Sequence, residues 1–184
     1  MQPLPVRRPA RLVAALAIAG LAVGDCPLVT ANDVTSAFVG PDETVAFVAE
    51  GEAEVGWLGD DPAEGDVVDP VLLTCTFRIG EGDVAGDDPW PEIGVGAIDL
   101  TDETSAEWQE QFGTLPAADP QLAVGGSLRG ACDGDDCAVV WTGSEVAVLV
   151  YADYEEGSGG SIETVTAGAG PIITAALESL TALA

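Results

Sequence analysis

Cys26, Cys75, Cys132 and Cys137 are the four cysteines of this 184-residue chain, and they stand behind a segment that reads as an export signal. Arg7, Arg8 and Arg11 precede an uncharged apolar run from Leu12 to Val23, too short to span a bilayer comfortably. An even number of cysteines in an exported chain implies two disulfides made in an oxidising compartment, with three pairings open to them. The fold must therefore bring four separated points of the sequence into two close pairs.

Ala22 and Gly24 are the small residues that a signal peptidase favours, which sets residues 1–24 apart as a signal peptide and 25–184 as one extracytoplasmic domain. Two other readings compete with simple cleavage. The stretch Leu21 to Cys26 is similar to a lipoprotein cleavage box, with Asp25 in place of the usual small residue. Arg7-Arg8 is similar to a twin-arginine signal, without the apolar residues that follow such a pair. Cleavage ranks first, lipidation of Cys26 second and an uncleaved anchor third, so membrane association is expected only through a signal or a lipid.

Charge narrows the partners. The chain has 32 acids against five arginines, and no lysine or histidine. Removing residues 1–24 leaves two cations, Arg78 and Arg129, against all 32 acids, a net charge of −30. Nucleic acid is excluded as a partner, because no basic patch exists to displace its counterions. The apolar fraction of 47% and the recurring strand patterns argue for a core, so the acids are read as surface. Adaptation to salty or alkaline surroundings, where screening removes self-repulsion and acids maintain solubility, outweighs an acidic binding site as their explanation.

Along the chain, Thr30 and Asp33 have the spacing of a capping box before a short helix that Gly40-Pro41 ends. Thr44–Ala49 and Glu54–Leu58 read as a hairpin turning at Glu50-Gly51-Glu52. After an acidic loop, Val71–Ile79 alternates and turns Cys75 inward. A strand at Ile93–Leu100 leads to a helix opened by Thr101-Asp102-Glu103 and closed by Gly113, with Trp108 and Phe112 on one side. Strands at Leu122–Cys132, Cys137–Thr142 and Glu145–Ala152 follow in meander order, with Gly143-Ser144 as a tight turn. Cys132 and Cys137 bracket a hairpin tip, close enough to be bridged. Gly170-Pro171 reads as the first turn of a last helix, with Ile172, Ile173, Ala176, Leu177, Leu180 and Leu183 as its apolar stripe. The expected fold is α+β: an antiparallel sheet with short N-terminal, middle and C-terminal helices packed on one face.

Cys26-Pro27-Leu28-Val29-Thr30, the helix ending at Gly40, the strand carrying Cys75-Thr76-Phe77, and the strand pair and final helix over Val139–Leu183 together resemble a group of small actinobacterial exported proteins and lipoproteins. These are of unknown function and open with a Cys-x-Leu-Leu-Thr segment. The resemblance covers about half the chain, in separated pieces. It implies a Cys26–Cys75 bridge tying the N-terminal helix to the sheet. Lipidation of Cys26 would forbid that bridge.

The chemistry is limited by what is missing. Without histidine or lysine, Ser-His-Asp and Cys-His catalysis, Schiff-base chemistry and histidine-ligated zinc are ruled out. The cysteines are assigned to structure. A carboxylate pair for glycoside hydrolysis remains open, but with so many acids no particular pair is marked. Calcium suits flexible acidic loops. Asp133, Asp135 and Asp136 at the hairpin tip are weak candidates, set against the ordinary preference of Asp and Gly for turns. The run Glu81 to Glu92 matches two positions of an EF-hand loop by coincidence. Trp108 and Trp141 are expected in the core, and Trp57 and Trp90 remain, with Trp90 between two prolines the better candidate for an exposed contact. The expected function is a non-catalytic binding or interaction domain at the cell envelope, without a cofactor, whose partner is an envelope protein or a small ligand. A carboxylate-dependent envelope hydrolase and a calcium-binding structural protein are the alternatives.

Overall fold

In the computed structural model the described residues are 26–38, 44–54, 71–80, 91–118, 125–134, 136–153 and 162–182. The first two helices begin where side chains satisfy their orphan N–H groups. The Thr30 N–H donates to Asp33 Oδ2 at 2.7 Å and the Asp33 N–H to Thr30 Oγ1 at 3.2 Å, the reciprocal capping box from which α1 (Ala31–Phe38) grows. At α2 (Asp102–Phe112) two threonines play both parts. The Thr104 N–H donates to Thr101 Oγ1, and the Thr101 N–H donates back to Thr104 Oγ1. Thr104 Oγ1 also donates to the Asp99 carbonyl at 2.7 Å, which fixes the helix to the end of the preceding strand.

Six strands form one antiparallel sheet: β1 (Thr44–Glu54), β2 (Val71–Gly80), β3 (Glu92–Asp99), β4 (Ser127–Asp133), β5 (Asp136–Thr142) and β6 (Val146–Asp153). The spatial order is β1-β2-β3-β6-β5-β4. Two three-stranded meanders thus lie side by side, joined where β3 pairs with β6 from Glu92↔Asp153 to Asp99↔Val146. The Gly143 N–H closes the β5–β6 turn on the Val146 carbonyl at 3.0 Å. On the outer side of β4 the segment before it adds a partial strand, with Ala117 opposite Arg129 and Arg129 Nη1 donating to the Leu115 carbonyl at 2.6 Å.

Period-2 alternation sorts the strands into two faces. Cys75, Phe77, Val95, Val139, Val148 and Val150 form the larger core with α1 and the last helix, α3 (Ile162–Ala182). Ile98, Ala138, Val140, Ala147 and Leu149 face the other way and are covered by Trp108 and Phe112 of α2. The antiparallel α+β fold stands as expected, with one correction: α1 and α3 share a face, whereas α2 lies on the opposite one. The sequence shows the cause. β5 and β6 are apolar at consecutive positions, from Cys137 to Trp141 and from Val146 to Val150, and are buried throughout, the pattern of a strand covered on both sides.

Two local expectations are also corrected. Glu50-Gly51-Glu52 is not a turn: β1 runs through it, paired with β2 from Thr44↔Gly80 to Glu54↔Val71, with a register shift between Phe47 and Ala49. Gly170-Pro171 does not start the last helix, which begins at Ile162 and carries Pro171 inside it. The apolar spacing extends upstream through Ile162, Val165 and Ala169, all on the inner face. Gly168 interrupts that pattern because the Phe38 ring of α1 occupies the place where its Cβ would be. Pro171 is exposed, so the carbonyl that loses its helical partner there is on the solvent side.

Both bridges form. Cys26 joins Cys75 with Cα atoms 5.8 Å apart, and Cys132 joins Cys137 with Cα atoms 4.0 Å apart. They fit an oxidising, extracytoplasmic setting. Among the described residues no helix is long and apolar enough to cross a membrane.

Candidate functional site

The α2 face of the sheet is apolar only over β3, β5 and β6, where the helix covers it. Toward β2 the same face becomes polar. On β2, Thr74, Thr76 and Arg78 alternate with the inward Cys75, Phe77 and Ile79. Across the ladder Thr76 is in register with Gly94 and Gly94 with Tyr151, while Arg78 is in register with Glu92. The Tyr151 ring extends from β6 across Gly94, filling the space a Cβ would occupy there. Its hydroxyl reaches Thr76 Oγ1 at 3.3 Å. One row along, Arg78 Nε donates to Glu92 Oε1 at 2.9 Å in an ion pair about one quarter exposed on each side (26% and 29%). The absence of a side chain at Gly94 is what allows a β6 ring to touch a β2 hydroxyl across the intervening strand.

This ledge, made of Tyr151, Thr76, Arg78 and Glu92, borders the second core, against which Tyr151 also packs. Burial raises the Tyr151 pKa above its ordinary 10.0; the Thr76 hydrogen bond opposes the shift, and the carboxylates of Glu92 and Asp153 add to it. The phenol therefore keeps its proton to higher pH than an ordinary tyrosine. Two neutral hydroxyls that can donate or accept, beside a guanidinium and a carboxylate already paired to each other, favour hydrogen bonding to an uncharged polar group over nucleophilic chemistry.

The residues expected from sequence are distributed as follows. Cys26, Cys75, Cys132 and Cys137 are all disulfide-bonded. Asp133 and Asp136 face each other at the end of the β4–β5 ladder, and Asp135 lies outside the described residues. Among the described residues no three acidic, cysteine or histidine side chains converge as a metal site. Trp108 and Trp141 are core residues, 1% and 7% exposed. The Trp108 Nε1–H donates to Thr142 Oγ1 at 2.9 Å and the Trp141 Nε1–H to the Gly125 carbonyl at 2.7 Å. Trp57, Trp90 and the EF-hand-like run before Pro91 lie outside the described residues. Reading the sequence did not single out Tyr151. The signal was there in the polar alternation of β2 opposite the bare Gly94 and Gly96 of β3, but only the register reveals which strand supplies the ring.

No family model, curated protein or solved structure matches this chain.

Proposed function

We propose that the protein is an exported, non-catalytic binding domain of the cell envelope, which holds an uncharged polar ligand or partner segment at the Tyr151–Thr76–Arg78–Glu92 ledge. The observation that carries this reading is the half-buried hydroxyl pair beside an already neutralised ion pair, on a polar part of the α2 face at the border of the second core. Such a surface offers directional hydrogen bonds without a reactive group, and the acidic surface around it disfavours anionic ligands. The resemblance to exported actinobacterial proteins and lipoproteins and the disulfide-braced fold support an extracytoplasmic location. The same features fit a soluble mature chain more simply than a lipidated one, since the Cys26 sulfur is engaged with Cys75.

The test is a thermal-shift screen of the mature protein against neutral saccharides and uncharged peptides, repeated on Tyr151→Phe and Thr76→Ala. A ligand whose stabilisation is lost in both variants supports the ledge. A ligand that stabilises all three proteins equally moves binding elsewhere. Turnover of any such compound, abolished by replacing one carboxylate, would make the protein a hydrolase instead. A fall in melting temperature on adding a chelator would favour the calcium-binding alternative.

A further inference from the structure

The two disulfides differ in how they can be reached. Cys75 is wholly buried, and Cys26 is half-buried with its Sγ accepting the Leu28 and Val29 N–H groups, each at 3.4 Å. Cys137 is wholly buried as well, but its partner Cys132 is exposed. Cys132 sits at the tip of the β4–β5 ladder, on the last strand of the sheet order. The second bridge thus joins an exposed residue to a wholly buried one.

We propose that Cys132 is a thiol-exchange site that accepts small neutral or cationic thiols. An external thiolate attacks Cys132 Sγ and a new S–S bond forms there. The Cys132–Cys137 bond breaks and its electron pair leaves on Cys137 Sγ. The products are a mixed disulfide on Cys132 and one protein thiolate, and no other oxidant or reductant is consumed. A second thiolate attacking the adduct carries the external sulfur away as a symmetrical disulfide and leaves Cys132 as a thiolate.

Two features of the hairpin set the selectivity. Asp133 and Asp136 are the chain neighbours of the two cysteines and are in register with each other one row beyond the bridge, on the opposite face of the ladder, and their field around this end of the hairpin repels an anionic thiolate and attracts a cationic one. On the buried side, α3 begins over the face of the bridge. Its first residue places Ile162 Cδ1 3.0 Å from where a Cβ of Gly130 would stand, and Gly130 lies two positions before Cys132 on β4. The start of α3 thus lies over this end of the hairpin, and with Cys137 wholly buried the attack is directed to Cys132.

The experiment exposes the folded protein to 2-aminoethanethiol or 2-mercaptoethanesulfonate at equal thiolate concentration, quenches with an alkylating agent and maps the products by peptide mass. The expected product carries the external thiol on Cys132 and the alkyl group on Cys137, with Cys26–Cys75 intact and the far-ultraviolet circular dichroism unchanged. The cationic thiol should react about tenfold faster at low salt, a ratio within the usual range of electrostatic steering, and the ratio should fall toward one near ~1 M salt. Asp133→Asn with Asp136→Asn should reduce it at low salt. An adduct on Cys137, opening of Cys26–Cys75 first, loss of the fold on opening, or equal rates at low salt would each overturn the proposal.

Discussion

The Tyr151 hydroxyl shows how a single missing side chain can determine a neighbour's chemistry. The ring crosses Gly94 to reach Thr76, and the resulting burial raises its pKa. The linkage has a definite sign. With the folded-state pKa above the ordinary 10.0, the contribution is present in full below pH 10. It declines as the unfolded chain ionises first, and is gone once the folded-state pKa is passed. Tyr151→Phe should therefore flatten the loss of stability above pH 10 while costing about 1 kcal/mol at neutral pH for the lost hydrogen bond, read from urea midpoints at both pH values. Gly94→Ala should push the ring off Thr76 and destabilise by about 1–3 kcal/mol, as overpacking does. Its phenolate absorbance should then titrate closer to the ordinary tyrosine range. Gly126 meets two constraints at once, since its φ of +78° and the Trp141 indole beside it both exclude a side chain.

At the scale of elements, the two bridges should differ in weight. Chain-entropy arguments give about 4 kcal/mol for the 49-residue separation of Cys26–Cys75 and about 2 kcal/mol for the five-residue separation of Cys132–Cys137. The double variant Cys132→Ser/Cys137→Ser should therefore stay folded with a lowered denaturant midpoint, and Cys26→Ser/Cys75→Ser should lose roughly twice as much. Pro171→Ala should restore a helical hydrogen bond at an exposed position and stabilise α3 by up to about 3 kcal/mol, measurable as a raised melting temperature. The capping pair Thr30–Asp33, the helix start at Thr101 and the alternation around Cys75 were legible in the sequence because each acts within a few residues. The continuation of β1 through Gly51 was not, because a Gly between two glutamates looks like a turn until β2 pairs along both sides of it. The early start of α3 was hidden by Gly168, whose reason lies on another helix. The ledge was hidden for the same kind of reason, since Tyr151, Thr76 and Arg78 meet only through a register that no local pattern specifies.

For the whole molecule, electrostatics is the dominant long-range term. Asp133, Asp136, Asp153 and Glu92 are cross-strand neighbours in a row over four adjacent strands, from Asp133↔Asp136 through Asp136↔Asp153 to Glu92↔Asp153, and the row ends on Arg78. Like charges directly opposite one another destabilise a sheet, and here they add to a net charge of −27. The melting temperature should rise between about 10 mM and about 1 M sodium chloride, over which the screening length falls from about 30 Å to about 3 Å. Asp153→Asn should reduce that rise. The sheet order has a mechanical counterpart. Cys26–Cys75 ties the segment before α1 to the first meander and Cys132–Cys137 lies within the second, so neither bridge crosses the line between β3 and β6. Under tension, or in the last stage of folding, the two halves of the sheet can part along that seam with both bridges intact, once the β3–β6 ladder, the Tyr151–Thr76 and Trp108–Thr142 hydrogen bonds and the two shared apolar cores give way.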